Sequence, residues 1–328
     1  MKALLCKAYG GPDDLVLEET DPPAPAPGEV HIAIHAAGVN FPDILLIENK
    51  YQFRPPLPFA PGLEVAGRVL AVGADVTRFK PGDRVMACCG HGGFAEEVAV
   101  AERSVFALPD AVDFVTAAGF PVVYGTTYHG LIDRGRMQAG EVLLVHGAAG
   151  GVGLSAVDMG KMLGATVIGT VGSDAKMDIV REYGADHVIN YSTESIRDRV
   201  KELTDGKGAD VIYDPVGGDA FDQSMRCINW GGRLLVIGFA SGRIPELKAN
   251  LALLKGCDVV GVFWGSFSER EPEASRANFD TLLGWCAAGK LKPHVSMRFP
   301  LAEGGEALKA LISRRATGKV IVDVRAEQ

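Results

Sequence analysis

Residues 142–153, Val142-Leu143-Leu144-Val145-His146-Gly147-Ala148-Ala149-Gly150-Gly151-Val152-Gly153, carry the pattern best suited to holding a phosphate. Four apolar residues predict a short buried strand, and a glycine-rich turn follows at once. From 152 to 163 apolar residues return at helical spacing and stop at Gly164, a helix-ending residue. Thr166-Val167-Ile168-Gly169-Thr170 then reads as a second strand. Strand, glycine turn, helix and strand make one βαβ unit of the dinucleotide-binding kind. A pyrophosphate has to approach the backbone closely, which large side chains would prevent. The free N–H groups and positive dipole at a helix start then hold the anion. Ala149, Gly150, Gly151, Val152 and Gly153 are therefore the candidate pyrophosphate residues. Alanine stands at 148 where the first glycine of the usual pattern falls. The alternative is a glycine turn kept for tight packing of helix on sheet.

The end of the second strand bears on which dinucleotide is bound. A carboxylate about 20 residues on normally binds the ribose 2′-hydroxyl of NAD. Here the strand runs into Val171-Gly172-Ser173 with no carboxylate at its tip, although Asp174 follows. Gly172 leaves room for a phosphate and Ser173 can donate to it. Lys176 either adds positive charge or is a solvated residue of the next helix. Tyr191, after Val188-Ile189-Asn190, is placed to cover the adenine ribose. The set favours NADPH over NADH as cofactor. Ligands in such sheets lie outside the carboxyl ends of the strands, which adds the tips of two later strands. These are Gly238-Phe239-Ala240-Ser241 and Val262-Phe263-Trp264. Phe263 and Trp264 either wall a pocket for a flat ring or pack in the core.

The elements that position these residues follow from the rest of the chain. It has 328 residues, 47% hydrophobic and 23% charged, enough for two domains with cores of their own. A net charge of −8 and a pI near 5.4 argue against nucleic acid or an anionic membrane as partner. The longest notable uncharged run, around 142–157, is broken by glycines and too short to span a bilayer. Lys7 interrupts the start and no signal-peptide cleavage pattern follows, so a cytoplasmic location is expected. Cys6, Cys88, Cys89, Cys227, Cys257 and Cys286 form no C-x-x-C pair and read as reduced thiols without a metal.

Up to about residue 110 the chain alternates short apolar strands with turns such as Gly10-Gly11-Pro12, Pro27-Gly28 and Pro81-Gly82-Asp83. This predicts an antiparallel, strand-rich, partly open barrel. His31 and His35 alternate with apolar residues and are expected to face solvent. Pro121 suits the first turn of a helix running toward Leu131. After the βαβ unit, Asp210-Val211-Ile212-Tyr213, Arg233-Leu234-Leu235-Val236-Ile237 and Val259-Val260-Gly261-Val262 predict further buried strands of a doubly wound parallel α/β sheet. Helices over about 272–288 and 303–313 and a last strand at Lys319-Val320-Ile321-Val322 are expected to return to the first domain. The boundaries are 1–124 with 267–328 for the strand-rich domain and 125–266 for the Rossmann domain.

This organisation resembles the medium-chain dehydrogenase/reductase superfamily, whose first domain is GroES-like. Pro81-Gly82-Asp83-Arg84-Val85 is similar to its characteristic turn. Ala37-Gly38-Val39-Asn40-Phe41-Pro42-Asp43 and Gly62-Leu63-Glu64-Val65-Ala66-Gly67 fall where its zinc alcohol dehydrogenases place metal ligands. Asn40 stands in place of a cysteine, Leu63 in place of a histidine, and the four-cysteine zinc lobe is missing. Catalytic zinc needs three protein ligands. The chain is therefore similar to the zinc-free quinone oxidoreductase branch, the zeta-crystallin-like one. Ala148-Ala149-Gly150-Gly151-Val152-Gly153 and Gly125-Thr126-Thr127-Tyr128 agree with that branch.

The resemblance implies hydride transfer from NADPH to a quinone or similar conjugated carbonyl, with hydrogen bonds to the developing oxyanion in place of a Lewis acid. It implies Asn40 and Tyr51 as site residues. Asn40 would donate to substrate or to a cofactor hydroxyl. Tyr51 would either donate to the oxyanion or only pack on the cofactor. By the same resemblance Thr127 contacts the nicotinamide amide and Lys319 lies near the cofactor; Asp43 is read as structural, fixing the Asn40 loop, rather than catalytic. A homodimer joined at a Rossmann sheet edge is also implied. An enone, alkenal or acrylyl-CoA-type reductase is the enzymatic alternative, for which Arg54, Arg243 and Arg270 could supply charge. A crystallin-like NADPH-binding structural protein is the non-enzymatic one.

Overall fold

The computed structural model describes residues 1–325. The chain divides into two compact units. One comprises Met1–Val122, Glu271–Ala287 and the chain from Pro293 on. The other comprises Val123–Arg270 and Ala288–Lys292. Among the described residues no helix is long and apolar enough to cross a membrane.

The second unit is built on six strands, every neighbouring pair parallel. Their spatial order is His187–Asn190, Thr166–Val171, Val142–Val145, Ala209–Asp214, Ile228–Val236 and Asp258–Gly261. The chain winds outward from Val142–Val145 in one direction, then returns to its other side at Ala209–Asp214. That reversal is the topological switch of a doubly wound sheet. The strands are β-branched and leucine-rich because both faces are covered. Leu144, Ile168, Ile189, Ile212 and Leu234 share one core with Val200, Phe221 and Met225 of the covering helices. Each such side chain contributes about 1.5–3 kcal/mol when removed from water. Helix Ile196–Leu203 shows the local logic. Ile196 and Val200, four apart, are its buried residues, and the Ser195 hydroxyl caps its start by accepting from the Asp198 N–H. Helix Pro121–Tyr128 forms as its proline predicts, but it continues as a π-helical turn, His129–Arg134, closed by a 2.7 Å bond from the Gly135 N–H to the Gly130 carbonyl.

In the first unit a seven-stranded sheet runs Val295–Pro300, Lys319–Asp323, Glu29–Val39, Glu64–Val72, Arg84–Cys88 and Val105–Ala107, with Glu97–Ala101 also paired to Glu29–Val39. All pairs are antiparallel except Val295–Pro300 on Lys319–Asp323, which is parallel. Lys2–Cys6 and Leu15–Glu19 make a separate hairpin ribbon. The expectation that His31 and His35 face solvent is corrected. The His31 ring nitrogen lies 2.9 Å from Glu97, and the His35 ring stacks 4.4 Å from Phe114. Alternation predicts which face a residue takes. It does not reveal that helix Phe114–Ala118 covers that face.

One buried polar residue of the second unit makes its stability depend on pH. His146, at the end of Val142–Val145, is fully buried between Ser224 and Thr170. The Ser224 hydroxyl donates to the Ala220 carbonyl at 2.7 Å, so at 2.7 Å from His146 Nε2 it accepts, and Nε2 carries the proton. Nδ1 then accepts from Thr170, 3.1 Å away. Burial holds the imidazole below its ordinary value, so the folded ring stays neutral. As pH falls through about 6.5 the unfolded chain binds a proton that the folded chain refuses. The unfolding free energy, followed through the urea midpoint, is therefore expected to fall on acidification, by up to about 1.4 kcal/mol per pH unit. A His146→Gln variant should show a flatter profile between pH 7.5 and 5; identical profiles would contradict the assignment.

Candidate functional site

The nominated residues of the second unit gather along one edge of its sheet, the carboxyl ends of the strands. Residues 146–153 follow Val142–Val145, and Gly172 and Ser173 follow Thr166–Val171. Tyr191 follows His187–Asn190, residues 238–241 follow Ile228–Val236, and residues 262–264 follow Asp258–Gly261. The twelve-residue helix Gly151–Met162 starts at Gly150, whose backbone is extended and which offers no side-chain cap. Its first N–H groups thus lack the acceptor that a serine or aspartate would supply. The glycines of the turn differ in kind. A Cβ on Gly153 would lie 2.1 Å from the Gly147 carbonyl oxygen, so the helix seats itself on the turn there. Gly150 is exposed, and a Cβ on it would meet only that same oxygen, at 3.3 Å. The packing reading of the glycines therefore applies to Gly153 and not to Gly150.

At the neighbouring strand ends, Tyr191 lies over Gly172. A Cβ there would be 2.6 Å from the phenol oxygen. Asp174 accepts from the Asn190 amide at 2.7 Å. The Thr127 hydroxyl is buried between Ser155, 2.7 Å, and Tyr213, 3.1 Å. Trp264 packs its indole against Gly125, whereas Phe263 is exposed. The 238–241 segment is held to the turn after Ala209–Asp214, with the Ala240 and Ser241 N–H groups donating to the Pro215 and Val216 carbonyls. Asp214 itself accepts from the Val216 and Gly217 N–H groups, both at 2.9 Å. Arg243 is engaged by Asp219 and Asp222.

In the first unit, strand register assembles a buried polar cluster. Gly38 stands opposite Glu64, and Val39 opposite Val320, so Asn40 and Lys319 come together one residue on. Lys319 Nζ donates to the Val39 carbonyl at 2.9 Å, to Asn40 Oδ1 at 2.7 Å and to Glu64 Oε1 at 2.7 Å. Asn40 Nδ2 donates to the same Glu64 oxygen at 2.8 Å, and Glu64 Oε2 accepts from the Val122 N–H at 2.8 Å. Asp43 accepts from the Asn40 and Gly62 N–H groups at 2.7 and 2.9 Å. Burial pushes the Asp43 carboxyl up to about 7 against the pull of those donors and of Lys319. Tyr51 lies on the edge of this unit's core, and burial, helped by Asp43, raises its phenol above the ordinary value. Among the described residues no group of three or more His, Cys, Asp or Glu side chains is arranged to hold a metal ion.

Sequence reasoning named Asn40 and Lys319 separately and missed Glu64, which joins them. It also passed over His146 and the turn closed by Asp214. Glu64 sits in a stretch already singled out. A buried acid flanked by Leu63 and Val65 was the available signal.

Residues 26–110 match the alcohol dehydrogenase GroES-like domain family, and residues 151–279 match the zinc-binding dehydrogenase family. A quinone oxidoreductase-like protein 2 homolog of Nematostella vectensis is 42% identical over 99% of this chain and 89% of its own length. A quinone oxidoreductase of Pseudomonas aeruginosa is 39% identical over 98% of this chain and 99% of its own. Among solved structures, Escherichia coli quinone oxidoreductase complexed with NADPH superposes with a TM-score of 0.91. It is 31% identical and covers 99% of this chain and 100% of its own.

The two glycines can be separated by experiment. Gly150→Val should cost about 1 kcal/mol as a poor N-cap, leave the fold intact, and weaken binding of NADPH, the cofactor expected from the sequence, by roughly a hundredfold or more. Gly153→Ala should instead destabilise the second unit by about 1–3 kcal/mol through overpacking. Fluorescence titration and thermal melting of both variants distinguish these outcomes. Undiminished NADPH binding by Gly150→Val would refute the cradle.

Proposed function

The chain belongs to the quinone oxidoreductase branch of the medium-chain dehydrogenase/reductase superfamily, and on that footing we propose that it is an NADPH-dependent, zinc-independent reductase of quinones or similar conjugated carbonyls. The observation that carries the reading is the start of helix Gly151–Met162, an uncapped set of N–H donors beside the sheet's switch point. The exposed Gly150 leaves that start open to a pyrophosphate. The bound cofactor supplies the hydride. Ser173 and Lys176 receive the 2′-phosphate beside the Gly172 backbone, whose side-chain space is taken by the Tyr191 phenol rather than left open, and Asp174 is engaged by Asn190. Tyr191 covers the adenine ribose. Residues 238–241 with Val262, Phe263 and Trp264 border the rest of the dinucleotide; Thr127, expected at the nicotinamide amide, has its hydroxyl buried between Ser155 and Tyr213 and orients its helix instead.

On the first unit, Tyr51 is the proton-bearing donor. Its raised phenol stays protonated at neutral pH and can donate to the oxygen on which charge develops. Asn40, expected to donate, turns its Nδ2 to Glu64 and the Gly38 carbonyl, so its carboxamide is held in one orientation and offers instead the second lone pair of Oδ1 to a hydroxyl of substrate or cofactor. Zinc independence rests on residue types. Asn40 is not a thiolate, Leu63 has no ligating atom, and the oxygens converging beside Asn40 are already filled by Lys319. With no Lewis acid, a conjugated acceptor, which spreads charge to a distant oxygen, is easier to reduce than a plain ketone. The reading predicts rapid NADPH oxidation with a benzoquinone or naphthoquinone by protein free of stoichiometric zinc. Faster turnover of acrylyl-CoA would favour the enoyl reductase, and no turnover of any conjugated acceptor despite tight NADPH binding would favour a structural role.

The same proposal includes a homodimer joined along strand Asp258–Gly261, which pairs on one side only among the described residues. Trp230 at 76% exposure, Leu253 at 80% and Leu254 at 68%, on the neighbouring strand and the helix leading into it, leave apolar surface that a monomer would place in water. A Leu253→Glu/Leu254→Glu variant is expected to sediment as a monomer where the parent sediments as a dimer. A monomeric parent would remove this part of the reading.

A further inference from the structure

Nothing so far explains why a lysine should be buried beside Asn40. Lys319 and Glu64 are both nearly inaccessible to water, and burying a charge costs heavily unless it is fully paired. The pairing here is complete. An ammonium has three N–H bonds, and Lys319 directs them to three oxygens, those of the Val39 backbone, the Asn40 side chain and Glu64, at 2.7–2.9 Å. Those three oxygens therefore converge on one point, and the point is occupied by Nζ. Gly38 is part of the arrangement. A Cβ there would lie 2.4 Å from Glu64 Oε1 and 2.3 Å from the Ala118 carbonyl oxygen, so the carboxylate reaches Asn40 only because residue 38 has no side chain.

The consequence falls on Asn40. Its carboxamide has one oxygen and one nitrogen, and rotation by half a turn would exchange them. Lys319 on the oxygen and Glu64 on the nitrogen make that exchange unfavourable. The flipped state would set N–H against ammonium and carbonyl against carboxylate. The ammonium of Lys319 has no N–H left for a ligand.

We propose that Lys319 is an internal cation and a positioning residue. Together with Glu64 it locks the Asn40 carboxamide in the single orientation used by the reaction, and it does not itself touch cofactor. The role assigned to Asn40 rests on the reading of function given above. The oxygen-lined ammonium site does not. Lys319→Ala removes the chain from Cγ to Nζ and leaves the three oxygens. A primary ammonium ion from solution can then take the vacated place, whereas tetramethylammonium, which has no N–H, cannot.

The test compares Lys319→Ala with the parent in ammonium, methylammonium or propylammonium chloride, against tetramethylammonium and sodium chloride at equal ionic strength. The expected result has two parts. Primary ammonium ions raise the melting temperature of the variant by several degrees more than the controls and leave the parent unmoved. They also restore much of a kcat lowered about tenfold or more, while the NADPH Kd of the variant stays within about twofold of the parent. No stabilisation beyond the controls overturns the ammonium site. An NADPH Kd raised as much as kcat is lowered, and left raised when ammonium ions restore kcat, overturns the positioning role, because Lys319 itself would then touch cofactor. If the parent reduces no acceptor, the functional reading fails, and the melting comparison still decides the site. If Lys319→Ala does not fold, the charge-neutral pair Lys319→Met/Glu64→Gln replaces it. A lowered kcat that ammonium ions do not restore supports the proposal, and an unchanged kcat overturns it.

Discussion

The second unit is organised around an unfinished hydrogen-bond account. Every helix begins with N–H groups that its own turns cannot satisfy. Helix Ile196–Leu203 satisfies one through Ser195; helix Gly218–Cys227 takes no side-chain cap, although Asp214 closes the turn before it by accepting from two N–H groups. Helix Gly151–Met162 has neither device. It also starts beside the reversal of strand order, where adjacent crossovers leave in opposite directions and open a crevice at the sheet edge. An anion is the chemical species that completes such a start, and the acidic surface of the protein makes the local exception more specific, since the field elsewhere repels phosphates.

The first unit solves a different problem. A buried carboxylate and a buried ammonium are each unfavourable, and their mutual attraction compensates only when the geometry is good and the remaining lone pairs are used. Glu64 accepts from Lys319, Asn40 and the Val122 N–H, and Lys319 donates to three oxygens. Replacing the pair with apolar residues would serve stability as well or better. Its presence therefore points to specificity of conformation at Asn40. Asp43 extends the same economy of structure. One carboxylate holds the Asn40 and Gly62 N–H groups, tying the two stretches that the resemblance marked as the site.

How much of this was legible depends on how far apart the causes lie in the chain. The strand, turn and helix at 142–162 are local. Periodicity, a glycine run and a C-terminal glycine within about twenty residues fix them, and the structure places the elements within a residue or two of expectation. The parallel sheet was legible because buried strands alternate with helical patterns. The Glu64–Lys319 contact was not, since it joins residues 255 apart through the register of three strands, and no period in the sequence encodes that register. His31 and His35 failed for a related reason. Strand alternation sorts residues onto two faces, but helix Phe114–Ala118, which covers one of them, comes from nearly eighty residues further on.

The glycines show how a structure separates two meanings that a sequence merges. At Gly38, Gly153 and Gly172 the place of a Cβ is already taken by protein atoms, at 2.1–2.6 Å, so each is a packing glycine, holding respectively a carboxylate, a turn and a tyrosine. Gly150 is different. Its backbone is ordinary extended chain with no positive φ, its surface is exposed, and its nearest Cβ contact is 3.3 Å, a distance a small shift relieves. Packing does not require glycine there, and the N-cap preference for glycine over a branched residue is worth only about 1 kcal/mol. A residue that the protein's own atoms do not demand, placed at an uncapped helix start, is most simply required by something that comes from outside. The pyrophosphate reading therefore rests more on the emptiness at Gly150 than on the glycine pattern as a whole.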